Sequence, residues 1–378
     1  VQEGGGRGPA KALQAMRKVL TSLLCLALLS TLQAASTAQT PPARAQALQA
    51  RVEALLARTP GMKAGVSIVH LPSGQRVEVQ AHHPHPLASV FKVPVMIELA
   101  RQIQGGRAGL SLDHVLVLRN QDRCLGSGSL QHQPTGTRIS VRNAVELMMT
   151  VSDNTATDLV FERIGTSSVN RLLADLGLRQ SQVYLKNRPA WLVSLGMGSR
   201  FRGMSPRQIA ATWSRMSPEE RHQAARQVET ENASLSLARF QAAEDASAER
   251  NSHAENVAVA AAVENLGSPS DFSALLERLW KGEILDRKWT TYCLGVLSRQ
   301  KYRTRIPRLL PAGTRVWHKT GTLAGIVNDA GILEVQTRQG RREAVVVVVF
   351  VREVEQGREE AASELIAKIA RAAWEAWR

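Results

Sequence analysis

The sequence predicts a mixed α/β (α+β) fold: an antiparallel sheet built from both chain ends, flanked by helices, with an all-helical subdomain inserted between them. Three observations predict it. Strand-like text lies near both ends, "AGVSIVHL" and "RVEVQA" early, "TRVWHKTG", "DAGILEV" and "EAVVVVVFV" late. The long middle carries helical periodicity and helix start signals instead. "EAVVVVVFV" is apolar at consecutive positions, so both faces of that strand must be covered.

The elements follow in order. "MRKVLTSLLCLALLSTLQAASTAQT", from Met16, has a basic start, an apolar run and a small-residue end. That is the layout of a secretory signal, with an apolar part shorter than a membrane span. The expectation is a leader over residues 1–38, with its signal peptide from Met16, followed by one domain over 39–378. The mature protein is then secreted or periplasmic, a monomer, with no stable membrane span. Cys25 sits mid-run, not at the end where a lipid-anchored cysteine belongs. Ala43 to Arg58 reads as a helix, and the first two strands flank the turn "PSGQ". A helix from Ser89 should reach about Gln104 and stop at Gly105–Gly106. Val141 to Ile164 is helical with a break near "SDN". Ser205, Ser217 and Ser268 each precede a proline and a polar or acidic turn, the pattern of a capped helix start. The helix from Pro269 should end at Gly282. After the late strands, a helix from about Glu355 to Trp377 closes the chain.

Composition narrows the function. Hydrophobic residues make up 44% of 378, enough for a sizeable core. The net charge of +15 first suggests an anionic partner, but aromatic content is only 4%. Single-strand nucleic-acid sites need aromatic stacking beside the charge, so the scattered arginines read as a solvated surface and no nucleic acid is expected. Cys124 and Cys293 are expected as free thiols, Cys124 near a cleft rim and Cys293 in a helical core. No cysteine or histidine spacing suits a metal; "HHPH" (His82, His83, His85) reads as a loop, and no metal or cofactor is expected.

Three short stretches carry chemistry. "ASVFKVPV" places Ser89 and Lys92 three apart on one face of a helix start. Burying an ammonium without a partner is costly. A serine is a poor nucleophile until a base takes its proton, and a lysine can be that base only if burial or a neighbouring cation lowers its pKa. The second stretch, "MTVSDNTATDLV", holds Ser152, Asp153 and Asn154, a hydroxyl to relay a proton beside a carboxamide to hold an amide. Asp153 reads as structural, fixing its loop. The third, "VWHKTGTLAG", puts Lys319, Thr320, Gly321 and Thr322 on a strand whose glycine admits close backbone approach.

With these motifs in this order, and with "GSGSL" before the second, the chain from about Ala43 to Trp377 resembles the serine β-lactamase and penicillin-binding-protein superfamily, nearest the class A β-lactamases. The resemblance implies a β-lactamase/transpeptidase-like fold. It implies a serine hydrolase that opens the β-lactam ring through an acyl-enzyme, with a part in β-lactam catabolism and antibiotic resistance. Ser89 would be the nucleophile, Lys92 its base and Ser152 the proton donor to the leaving nitrogen. Asn154, Lys319, Thr320, Gly321 and Thr322 would bind substrate, Asn154 also bonding Lys92 and Lys319 also depressing the Lys92 pKa. The N–H groups of Ser89 and Thr322 would form the oxyanion hole. The partner is then a small-molecule β-lactam or a peptidoglycan-like acyl substrate. Two alternatives share this machinery: a D-alanyl-D-alanine peptidase or related serine acyl hydrolase, and a penicillin-binding or sensing protein that acylates without turnover.

The pattern departs from the class in one place. Class A chains carry a Glu-x-x-Leu-Asn loop whose glutamate activates the deacylating water. The corresponding stretch, "LKNRPAWLVSLGMGSRFRG" from Leu185 to Gly203, contains no acidic residue. Ser152 and Lys319 also lie 167 positions apart, about sixty more than the class places there, whereas ordinary connections run to a handful of residues. The excess falls at about 202–265 and reads as a helical insertion of two or three helices. Glu229, Glu231 and Glu264 are the candidates for a substitute base.

Overall fold

The computed structural model describes Val1 and residues 43–378. The expected leader, its start at Met16 and Cys25 lie outside the described residues. The compact unit is Arg44–Arg378.

The chain opens with α1 (Ala43–Ala57), then β1 (Lys63–His70) and β2 (Gln75–Val79) around the expected turn. A two-residue strand, β3 (His85–Pro86), leads into a 3₁₀ turn (Ala88–Phe91) and α2 (Lys92–Gln104). The helix expected from Ser89 therefore becomes α-helical only at Lys92, with Pro94 in its first turn, where a missing N–H costs nothing. A small hairpin-like pair, β4 (Val115–Val117) and β5 (Arg138–Ser140), precedes α3 (Val141–Thr150), α4 (Asn154–Ile164), α5 (Thr166–Asp175) and α6 (Asn187–Ser194).

The 202–265 segment contains four helices, where two or three were expected: α7 (Pro206–Arg215), α8 (Pro218–Glu231), α9 (Leu237–Arg250) and α10 (His253–Ala262). Ser205 and Ser217 cap the first two as predicted, and Ser236 and Ser252 cap the others without the proline that signals such a start. Their inner faces meet in an apolar cluster of Ile209, Trp213, Val228, Phe240 and Val259 against Leu192 and Val193 of α6.

The chain then runs through β6 (Leu266–Gly267), α11 (Pro269–Lys281), α12 (Arg287–Leu297), β7 (Val316–Leu323), β8 (Ile326–Gln336), β9 (Arg342–Arg352) and α13 (Glu359–Trp377). α11 is capped by Ser268 and ended by Gly282 in the left-handed region, as its sequence requires. α13 starts four residues later than expected, because Gly357 turns the chain at φ +82° just before it.

Five strands form one antiparallel sheet in the order β2–β1–β9–β8–β7. β9 lies at its centre and Val345–Val351 are fully buried. Val345, Val347, Val349 and Val351 face α1 and α13, while Val346, Val348 and Phe350 face α2 and α11. Each fully buried valine contributes about 1.5–3 kcal/mol, so the run anchors helices on both faces. β3 pairs with β6, His85 opposite Gly267 and Pro86 opposite Leu266. His85 is therefore a buried strand residue, and only His82 and His83 sit in the exposed loop expected of the trio. Cys293 lies in the helical core as expected, but Cys124 is wholly buried rather than at a rim, its N–H bonded to Thr155 Oγ1 at 3.0 Å. Both are free thiols. No helix among the described residues is long and apolar enough to cross a membrane.

Candidate active site

Ser89 sits half-buried in the 3₁₀ turn between β3 and α2. Ala88 before it holds φ +46°, a region that L side chains rarely adopt. Such strain persists only where the surroundings over-determine it. Gly321 on β7 supplies part of that constraint. A Cβ there would lie 2.6 Å from Leu87 O and 3.0 Å from Val90, so only glycine lets β7 press against the serine turn.

Lys92 is fully buried. Its ammonium donates to Ser152 O at 2.8 Å, Ser152 Oγ at 3.1 Å and Asn154 Oδ1 at 2.8 Å. Those bonds use all three protons of the group. Burial nevertheless lowers its pKa to about 8, against the pull of Asp158 and Asp153.

Ser152 itself holds φ +61°, a second strained non-glycine residue beside the site. The strain turns its hydroxyl and its carbonyl toward Lys92. Asp153 points the other way, as its structural reading requires. Its Oδ1 caps α4 through Ala156 N at 2.8 Å and its Oδ2 accepts from Leu130 N at 2.9 Å. Asn154 donates from Nδ2 to Leu125 O at 2.8 Å, which fixes the amide so that Oδ1 faces Lys92. The "GSGSL" loop lies against this motif. A Cβ on Gly128 would fall 2.1 Å from Asp153, and one on Gly126 would fall 2.9 Å from Asn154 Nδ2.

Lys319 reaches in from β7 and donates to Ser152 Oγ at 3.0 Å and to Thr320 O at 2.7 Å. Its pKa lies well below the ordinary lysine range, first through burial and then through repulsion by Lys92. Burial is the first cause of the depression at both lysines, and repulsion between the two adds to it at Lys319.

Ser89, Ser152, Thr320 and Thr322 border one cleft of about 270 Å³ with Ser127, Tyr302, Thr304 and Arg305. The eight residues singled out from the sequence thus gather in one place. Lys92, Asn154 and Lys319 stand behind Ser152, and Gly321 packs behind Ser89. Arg305 was missed. It donates from Nη1 to Gly321 O at 2.8 Å and to Asn328 O at 2.6 Å, and from Nη2 to Thr322 Oγ1 at 2.6 Å. Nothing in "KYRTRIPR" sets it apart from the other scattered arginines. Its partners come from two strands distant in sequence.

The stretch without acidic residues starts α6. Asp158 on α4 accepts from Asn187 N and Arg188 N at 2.8 and 2.7 Å. The Arg188 side chain leads away to Arg123 O and Asn232 O. Of the three candidate glutamates, Glu229 pairs with Lys186 at 2.8 Å and Glu231 holds Ser199. Glu264 alone is buried beside the site, close enough for its charge to act on Lys92.

The comparisons agree with this picture. The family model described as the β-lactamase enzyme family matches residues 47–377. Among solved structures, a β-lactamase from Sphaerobacter thermophilus is 26% identical, with 88% of this chain and 96% of that one covered at a TM-score of 0.60. A point mutant of PBP-A, in an acyl-enzyme complex with penicillin G, is 22% identical over 88% and 96% of the two chains, TM-score 0.62. An ancestral class A β-lactamase is 19% identical over 87% and 99%, TM-score 0.60. No curated protein matches the chain. With its sheet, its flanking helices and its match along nearly the whole described length, the chain belongs to the β-lactamase enzyme family.

Proposed function

We propose that this protein is an exported serine hydrolase that opens the β-lactam ring through an acyl-enzyme on Ser89. The observation that carries the reading is the convergence on the Ser152 hydroxyl of Lys319 and of Lys92, which stands one turn after Ser89. Neutral Lys92 takes the Ser89 proton as Oγ attacks the carbonyl. The ring C–N bond then breaks, and Ser152 gives its proton to the leaving nitrogen while drawing another from Lys92. Ser89 and Thr322 offer backbone N–H groups to the developing oxyanion. Asn154 holds the substrate's side-chain amide. Lys319, Thr320 and Thr322 hold its carboxylate, with Arg305 behind Thr322. The catalytic domain is read as 39–378, carrying the 202–265 segment as an insertion, after a leader that sends it to the periplasm or outside.

One observation favours a second reading, a penicillin-binding protein or D-alanyl-D-alanine peptidase. No acidic side chain stands in residues 185–203, so the part that frees the acylated serine is not in its expected place. A chromogenic cephalosporin in excess, followed with intact-protein mass spectrometry, tests both. Sustained turnover through an adduct on Ser89 supports the first. A stoichiometric burst that stalls supports the second. Covalent labelling by penicillin that survives Ser89→Ala counts against either.

A further inference from the structure

We propose that Glu264, at the exit of the 202–265 segment, is the base that activates water against the acylated Ser89. The inference rests on the acyl-enzyme reading above and adds the residue that ends it. Glu264 lies between α10 and β6 with 8% of its surface exposed. Its one hydrogen bond among the described residues is from the neighbouring Asn265 N to Oε1, at 2.7 Å. Oε2 has no partner there. A carboxyl this deeply buried, with no cation in ion-pair contact among the described residues, costs stability unless the site uses it.

Its surroundings say what it faces. Glu264 lines a cavity of about 200 Å³ whose other walls include Trp191, Val259 and Leu323. Leu323 directly follows Thr322. Trp191 lies against Gly126, the glycine on which the Asn154 amide packs. The cavity's lining shares no residue with the Ser89 cleft, but two of its walls, Leu323 and Trp191, adjoin Thr322 and Gly126 of that site. The backbone is held with equal care. Leu87 N, two residues before Ser89, donates to Asn265 O at 2.9 Å. The Asn265 side chain bonds Tyr184 N, Leu185 N and Leu185 O at 3.0, 2.9 and 2.8 Å. A base positioned by its support, not by its own contacts, is pre-organised for one reactant.

The titratable groups around it are Lys92, Tyr184 and, across the cavity, Glu244. Burial pushes the Glu264 carboxyl up to about 8, with Lys92 drawing it partly back. The chemistry balances with water alone. The carboxylate takes one proton from water as its oxygen attacks the ester carbonyl. The tetrahedral intermediate collapses with loss of the bond to Ser89 Oγ. Glu264 passes the proton it took, through the neutral Lys92 amine, to Oγ, and the acid product leaves.

The test is Glu264→Gln, which keeps an oxygen for Asn265 N and removes only the proton acceptor. Excess chromogenic cephalosporin should give a burst at the wild-type acylation rate, then a stall at least ~100-fold slower than wild-type turnover. The adduct on Ser89 should accumulate by mass spectrometry. The wild-type deacylation rate should fall as pH drops below about 8. A variant that acylates and turns over like the wild type overturns the proposal and leaves the acyl-enzyme reading standing. So does a wild-type adduct that is stable from pH 6 to pH 9. Absence of any adduct on wild-type Ser89 overturns both.

Discussion

Lys92 and Lys319 donate to the same atom, the Ser152 hydroxyl oxygen, at 3.1 and 3.0 Å. Two ammonium ions cannot share so small a buried space at low cost. Burial lowers the pKa of both, and repulsion from Lys92 adds to the lowering of Lys319. With both oxygen lone pairs of Ser152 engaged, its own proton is free to point at a substrate.

Acylation should therefore rise with pH through about 8 and level off above it. The base works only when deprotonated, and burial lowers its pKa from the ordinary lysine range to about 8. Below pH 8 the rate of labelling by a fluorescent penicillin should fall roughly tenfold per unit. A rate that keeps climbing past pH 10 would assign the proton to another group.

Gly321→Ala should damage both stability and chemistry. The new methyl meets the Leu87 carbonyl, which is backbone and cannot swing aside. Overpacking of this kind costs roughly 1–3 kcal/mol, and each kcal/mol moves the midpoint by about 2–4 °C in a domain of this size. Thermal unfolding should show a midpoint lower by several degrees. Ser89 labelling should slow as well, because β7 and the serine turn are forced apart.

What was legible in the sequence is what depends on near neighbours. The valines of β9 read as buried on both faces because no polar residue interrupts them, and α1, α2, α11 and α13 cover both faces. Ser205, Ser217 and Ser268 were readable as caps because a cap and its proline are adjacent. Ser89, Lys92, Ser152, Asn154 and Lys319 were expected together because three motifs in that order resemble one family, and the fold brings their side chains to one region. Arg305 was not, since its partners Gly321, Thr322 and Asn328 lie on strands brought to it only by folding. Glu264 stood out no more than Glu229 or Glu231 until burial separated them. Cys124 was misplaced because distance along the chain from Ser152 carries no information about depth.

The two thiols should be inert in the native protein. Burial pushes Cys124 well up and Cys293 up to about 12, and the thiolate is the reactive form. Peptide mapping after iodoacetamide at pH 8 should find both unmodified in the native state and both modified after unfolding in guanidinium. Native labelling of Cys124 would show that the cleft opens further than its walls suggest.

Arg305 should discriminate substrates by charge. Its guanidinium spans Gly321, Thr322 and Asn328 without a carboxylate partner, and its Nε makes no hydrogen bond among the described residues. The positive charge is left to act on whatever lies beside Thr322. Hydrogen bonds to charged groups contribute about 1.5–3 kcal/mol, so Arg305→Ala should lower kcat/KM for a carboxylate-bearing cephalosporin by roughly 10–100-fold, mostly through KM. Lysine should restore little, because one ammonium cannot reproduce the fork across two strands. The decisive comparison uses the same cephalosporin with its carboxylate blocked as an ester. If Arg305 acts on charge, wild type and variant should process the ester alike. If it only braces Thr322 and Gly321, both substrates should suffer equally.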